Sequence, residues 1–325
     1  MLMPPFNLHH PKTVEEACEL AATFLAAEES FDWVAGGTDL LPNYKWHINV
    51  KTHVISLANI PGLDTISMHE IGAMARLGAL TSSVDVHPLI ASAASKIASS
   101  LIRNNATLGG NLCLDTRCFW FNQSEDWRRS IDWCHKEDCG TGSDCRVIPN
   151  QNTLCVATYQ GDLAPSLMVL DGTIHIIGPN GQRSLPVDEF FQLDGITRNV
   201  LQEGEFILKV TFPEGVENRI GSYKKLRVRE SWDFPEAGVA SSWILGDASS
   251  LRVASTALES IPRSHQTEIE ALESEFSSEH IPQLSEAIMK SIKPVNNTAL
   301  PPRYRKSMVR VLAKRSLREI LGDEG

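Results

Sequence analysis

Long apolar runs are missing from these 325 residues. No stretch approaches the roughly 18 uncharged apolar residues that a membrane-spanning helix needs. The opening residues, MLMPPFNLHHPKTVEEA, lack the basic-then-apolar order of a signal peptide, so a cytoplasmic protein is expected. A surplus of positive charge is missing as well. Lys and Arg total 30 against 40 Asp and Glu, for a net charge of −10. A surface that acidic is a poor general partner for nucleic acid. Both common nucleotide fingerprints, G-x-G-x-x-G and G-x-x-x-x-G-K-[ST], are absent, so a dinucleotide site here needs a different fold. No C-x-x-C pair occurs, which excludes the compact ferredoxin run. There is no internal repeat and no low-complexity tract.

What is present is an ordinary globular balance, 42% hydrophobic and 22% charged, on a chain long enough for two or three domains. The cysteines are unevenly spread. Cys18 stands alone on the apolar face of a helix and reads as a small buried hydrophobe. The other six, Cys113, Cys118, Cys134, Cys139, Cys145 and Cys155, form one island, shared with Trp120, Trp127 and Trp133. In a cytosolic chain such an island points to metal rather than to disulfides, because thiols there are kept reduced.

Local patterns place the main elements. Thr13 and Glu16 form a capping box before a helix whose apolar face carries Val14, Ala17, Cys18, Ala21, Phe24 and Leu25. Strands are expected at 31–34, 53–57 and 73–79, and a helix over 88–102. Residues 173–177 and 183–187 flank Gly-Pro-Asn-Gly, a hairpin signature. Phe206, Leu208, Val210 and Phe212 alternate as a half-buried strand. Beyond a boundary near 213–215, strands are expected at 223–229 and 237–245 and helix over most of 265–292. A terminal amphipathic helix sets Met308, Val309, Leu312, Ala313, Leu317 and Ile320 against Arg310, Lys314, Arg315 and Arg318.

Two glycine turns interrupt these elements, Ala35-Gly36-Gly37-Thr38-Asp39 and Thr107-Leu108-Gly109-Gly110-Asn111. Paired glycines let a backbone approach a phosphate, whose oxygens the amides then bind. Each turn alone is unspecific. In order along the chain, however, AGGTDLLP, RNNATLGGNL, GDLAPSLMVLDG, GPNGQRSLPVDEFF and YKKLRVRESWDFP resemble the FAD-binding subunit of the molybdenum hydroxylase (xanthine dehydrogenase) family. YRKSMVRVLAKRSL is similar to that family's ending. The resemblance implies an α+β fold: a PCMH-type FAD-binding domain of two α/β subdomains, then a smaller C-terminal α/β domain of the CO dehydrogenase flavoprotein type. It implies boundaries of 1–213 (subdomains about 1–57 and 58–213) and 214–325, and a pyrophosphate cradle at 35–39 and 107–111. Asp162 and Lys225 match positions near the flavin. By its residue type and place, Asp162 could equally cap the segment after it, and Lys225 could be a solvated strand lysine.

The island at about 113–155 is an insert that most family members lack. The run NLCLDTRCFWFNQSEDWRRSIDWC is similar to the insert of the 4-hydroxybenzoyl-CoA reductase β subunit, which implies a [4Fe–4S] cluster. Such a cluster needs four thiolates converging from a loop. The favoured four are Cys118, Cys134, Cys145 and Cys155, with Cys139 the competitor for the third place and Cys113 a packed residue. Zinc stays open, although only Cys113/Cys118 and Cys134/Cys139 approach a finger's spacing.

The implied function is an electron-transfer subunit. It would pass electrons from a low-potential, ferredoxin-like donor towards [2Fe–2S] clusters on a small subunit and a molybdopterin-binding large subunit. The complex would dehydroxylate 4-hydroxybenzoyl-CoA or a related aromatic reductively. Two alternatives are carried. One is a flavin subunit of a purine, N-heterocycle or aldehyde hydroxylase that delivers electrons to NAD or quinone. The other is a flavin-free scaffold with a metal-stabilised loop.

Overall fold

The structure, a computed structural model, describes residues 2–136, 144–150, 154–272 and 275–322. Its strands are β1 (Asn7–His9), β2 (Phe31–Val34), β3 (His53–Ser56), β4 (Glu70–Gly72), β5 (Thr173–Gly178), β6 (Gly181–Pro186), β7 (Phe206–Thr211), β8 (Arg219–Leu226), β9 (Ala237–Ile244), β10 (Asp247–Thr256) and β11 (Arg263–Ser264). Its helices are α1 (Val14–Ala26), α2 (Leu40–Lys45), α3 (Leu77–Ser82), α4 (Pro88–Ser95), α5 (Ser100–Arg103), α6 (Leu108–Leu112), α7 (Glu125–Ser130), α8 (Leu163–Met168), α9 (Gln266–Glu270), α10 (Ile281–Ser291) and α11 (Pro302–Ile320).

Three sheets organise the chain. The first is parallel, in the order β1-β3-β2. The helix α1 covers it: Ala21 and Phe24 meet Ile55 in one small core, and Ala17 meets Leu57 in another. Thr13 Oγ1 accepts from the Glu16 amide at the start of α1, while the Glu16 carboxylate reaches one residue further back, to Lys12 N. The second sheet is antiparallel, β4-β7-β5-β6, and its β5–β6 hairpin turns where Gly-Pro-Asn-Gly indicated. The third is antiparallel, β11-β10-β9-β8.

The principal core joins the second sheet, α3, α4 and α8 to one face of the third, which contributes Tyr223, Ala240 and Ala254. The opposite face of the third sheet, with Ala237, Val239, Leu251 and Val253, packs on α10 and α11 through Leu284, Ile288, Val309, Leu312 and Leu317. Burial of these two continuous apolar faces is the main stabilising term.

Four local expectations are corrected. The strand expected at 73–79 does not form: β4 ends at Gly72, a turn follows, and the helix α3 begins at Leu77. Leu77 and Leu80, three apart, are both buried, and this outweighs the weak alternation before them. The helix expected over 88–102 breaks into α4 and α5. Ala98 takes a left-handed φ of 44°, and Ser99 caps α5 by accepting from Ile102 N. Leu101, expected on the apolar side, is 70% exposed. The second glycine turn is the short helix α6, capped by Thr107, whose Oγ1 accepts from Gly110 N.

The insert leaves the fold between α6 and α8. Arg117 and Thr158 close its base by exchanging both backbone hydrogen bonds, at 2.7 and 2.8 Å. Asn297 clamps the same point, donating to Val156 O and accepting at its carbonyl from Phe119 N. The helix α7 is the insert's one regular element among the described residues.

Candidate functional site

Between the first two sheets lies a cleft of about 1140 Å³. Its floor is where the two glycine segments meet. A Cβ on Gly36 would stand 2.0 Å from Asn105 O, and one on Gly109 2.8 Å from the Ala73 side chain, so both backbones are packed as closely as glycine allows. Gly37 follows in the left-handed region at φ +68°, a conformation other residues rarely adopt. A Cβ on Gly110 would approach only Thr107 Oγ1 at 3.1 Å and Ala35 Cβ at 3.9 Å.

The two segments differ in what they offer. Among the described residues, the backbone amides of Gly36, Gly37, Thr38 and Asp39 donate to nothing. Four consecutive uncommitted amides on a cleft wall form a nest for an anion. The amides of Leu108, Gly109 and Gly110 are already engaged, by Ala75 O, Ala73 O and Thr107 Oγ1. The second segment therefore contributes close approach and side chains. Asn111 Oδ1 accepts from Leu163 N, which leaves its amide nitrogen without a partner among the described residues.

Ala35, Gly36, Gly37, Thr38, Asp39, Thr107, Gly109, Gly110, Asn111 and Asp162 all line the cleft. Leu108 does not; it is fully buried in the principal core. Lys225 stands behind Asp162, paired to it at 3.0 Å, with both side chains almost wholly buried. Tyr223 donates to the same carboxylate at 2.8 Å. Asp162 occupies the N-cap position of α8, but its side chain makes no capping bond. Burial pushes its carboxyl pKa up and the Lys225 ammonium down, and their contact opposes both shifts.

A second, much smaller hollow of about 10 Å³ lies inside the insert, lined by Cys118, Cys134, Cys145 and Cys155. All four are buried. Spacing along the chain does not bring them together; side chains elsewhere do. Asp132 and Trp133 both take left-handed φ, 59° and 54°. This turns the chain into Cys134, and the Arg146 guanidinium donates to both their carbonyls at 2.8 and 2.7 Å. Asp144 accepts from Cys145 N, and Asp194 accepts from Cys155 N. Backbone amides of Ile148 and Ala157 donate to the sulfurs of Cys145 and Cys155, at 3.5 and 3.4 Å. Burial pushes the Cys118 thiol up to about 12 and the Cys155 thiol to about 11.

Cys139 lies outside the described residues. Cys113 lines the cleft rather than the hollow and packs against the principal core, and burial raises its thiol to about 11. Of the three tryptophans, Trp120 packs against the cysteine cluster, 5.9 Å from the Trp127 ring. Gly195 is a residue that sequence reasoning missed. A Cβ there would stand 2.8 Å from Cys155 Sγ, and no motif marks it.

The cleft and the hollow adjoin. Arg117, next to Cys118, forms an ion pair with Asp39 of the first glycine turn. Its guanidinium lies 4.6 Å from the centre of the Phe234 ring on the cleft wall, and its Nε is buried without a partner among the described residues. Lys136 lines both cavities.

A large cleft floored by glycine backbone, with uncommitted amides at one point, offers room and an anion site for a nucleotide without a Rossmann fingerprint. The sequence matches the family described as the FAD binding domain in molybdopterin dehydrogenase over residues 4–215. The chain belongs to that family. It is similar to the aldehyde oxidoreductase FAD-binding subunit PaoB of Escherichia coli (strain K12), at 30% identity over 259 residues, 74% of this chain and 77% of the relative. It is also similar to the xanthine dehydrogenase FAD-binding subunit of Escherichia coli O157:H7, at 24% identity, spanning 98% of this chain and 97% of that one. In fold it matches the solved carbon monoxide dehydrogenase of Hydrogenophaga pseudoflava, with a TM-score of 0.78 over 99% of each chain at 24% identity. The family match overturns the flavin-free scaffold: the cleft belongs to an FAD-binding domain. No helix among the described residues is long and apolar enough to cross a membrane.

Proposed function

We propose that this chain is the FAD- and [4Fe–4S]-binding electron-transfer subunit of a molybdenum-containing reductase. One observation carries the reading. Cys118, Cys134, Cys145 and Cys155, spread across the insert, line one buried hollow beside the flavin cleft. Backbone amides already aimed at two of the sulfurs suit thiolate ligands.

The flavin would supply two-electron uptake with single-electron release, and the cluster a one-electron relay. This chain's residues do the holding. The 35–39 amides would bind the pyrophosphate, with Thr107 to Asn111 closing the other side. Asp162, backed by Lys225 and Tyr223, would fix the cleft wall near the flavin. Residues 1–213 would form the FAD-binding domain and 214–325 the C-terminal domain. The partners would be a molybdopterin-binding large subunit and a [2Fe–2S] small subunit in the cytoplasm, with a ferredoxin-like donor. The substrate class is 4-hydroxybenzoyl-CoA or a related aromatic, which the insert's similarity supports.

A second reading rests on the named relatives, an aldehyde oxidoreductase subunit and a xanthine dehydrogenase subunit. It keeps the flavin and reverses the flow, with NAD or quinone as acceptor.

Two measurements test these readings. Chain purified without oxygen should contain four iron atoms and one FAD, and Cys118→Ser or Cys134→Ser should lose the iron and its broad visible absorbance while keeping FAD. Iron retained at the wild-type level in both variants would defeat the cluster assignment. NAD⁺ reduction by the assembled complex would favour the second reading; reduction of the complex by a low-potential ferredoxin, with NAD⁺ inert, favours the first.

A further inference from the structure

Lys136 stands in the wall between the two cavities, in contact with both. Its side chain is 3% exposed. The ammonium donates to Asp115 Oδ1 at 2.9 Å, Thr116 Oγ1 at 2.6 Å and Thr116 O at 3.0 Å. It also lies 4.6 Å from the centre of the Phe121 ring, which belongs to the cysteine core. Asp115 is not its private partner. The same carboxylate oxygen takes Arg198 at 3.0 Å, so one anion is shared by two cations. A buried lysine is costly, and one paired carboxylate is the usual remedy.

We infer that Lys136 is a positioning charge that sets the redox level of the two cofactors, holding the reduced forms of both lower in energy; this rests on the cluster reading above. Four thiolates around a cluster give it a net negative charge, and each electron added deepens it. A fixed cation at short range in a poorly screened wall stabilises the more negative, reduced state and raises its potential. The same cation lines the cleft, so it acts on the reduced flavin with the same sign. Asp115 acts in the opposite direction, since its carboxylate screens both cations. Burial alone would raise its pKa, but Lys136 and Arg198 more than offset that and hold it below the ordinary value.

The test uses the full chain, loaded without oxygen, with mediated titration of the cluster by electron paramagnetic resonance and of the flavin by absorbance. Iron and FAD contents are measured on every sample. Lys136→Met should lower the cluster midpoint by a factor of about ten in the reduction equilibrium, about 59 mV for one electron, and lower the flavin midpoint in the same direction. Lys136→Arg should restore both. Asp115→Asn, which keeps the two cations, should raise them. Wild-type iron and FAD with an unmoved midpoint in Lys136→Met would overturn the inference and leave the cluster reading standing. So would Lys136→Arg shifting as far as Lys136→Met. If Lys136→Met does not fold, a fall or no change in Asp115→Asn overturns it alone. Wild-type chain without iron would instead remove the cluster reading, and the inference with it.

Discussion

Single residues in the cleft separate two roles that glycine plays. Gly36 is needed for packing: its Cβ would lie 2.0 Å from a backbone oxygen that cannot swing away. Gly36→Ala is therefore expected to force the two glycine segments apart, costing about 1–3 kcal/mol of stability and releasing FAD. Gly110 is needed for space. Its substituent meets only the Thr107 hydroxyl and then the cleft. Gly110→Glu should leave the denaturation midpoint near wild type yet abolish FAD retention, since a carboxylate would occupy the cleft where the proposed pyrophosphate site lies. Flavin-to-protein ratios and urea midpoints for the pair check both claims. Equal losses of stability would show that the distinction is false.

At the scale of elements, the start of α4 holds a titratable cap. His87 is buried; its Nδ1 accepts from Leu89 N, and its Nε2 lies 3.0 Å from Arg219 O, which fixes the neutral, Nε2-protonated form. Burial keeps its pKa below the ordinary 6.5. A depressed pKa means that the stability is whole above the unfolded value and is lost as pH falls through the folded one. Unfolding midpoints should thus fall as pH drops below about 6.5, with loss of the cap contributing about 1 kcal/mol. His87→Asn, which caps without titrating, should flatten that part of the profile. Elements with strong local signals are legible in the sequence itself. The α1 capping box, the β5–β6 turn and the amphipathic α11 each declare themselves within a few residues. The failures share one cause. Leu77 and Leu80 make α3 by packing on distant neighbours, and Ala98 breaks α4 from α5 with no Gly or Pro to mark the place. The site divides in the same way. The two glycine segments carry motifs, whereas the meeting of four cysteines depends on Arg146, Asp194 and the left-handed pair Asp132-Trp133. Gly195 and Lys136 have no motif at all.

The whole molecule is joined at a few buried polar points. One is Arg305 of α11, fully buried, donating to Glu236 O at 2.8 Å, Val295 O at 3.1 Å and Ala257 O. Glu236 in turn accepts from Thr298 Oγ1 and the amides of Ala299 and Leu300. Arg305→Met strands this network and is expected to cost about 3–5 kcal/mol, seen as a lower urea midpoint with the terminal helix exchanging its amides first. The insert is attached differently. Its two ends exchange a single pair of backbone bonds between Arg117 and Thr158 before the chain returns to the flavin fold. Closing a loop costs only slowly more as the loop lengthens, so that pair accommodates a turn of a few residues as readily as the present long excursion. Further bonds then tie the excursion back to the frame: Arg128 donates to Trp46 O and His47 O, and Cys155 N to Asp194. Shortening the excursion between these anchors is therefore expected to change the loop entropy of the nucleotide-binding frame little, while each anchor removed takes a specific contact with it.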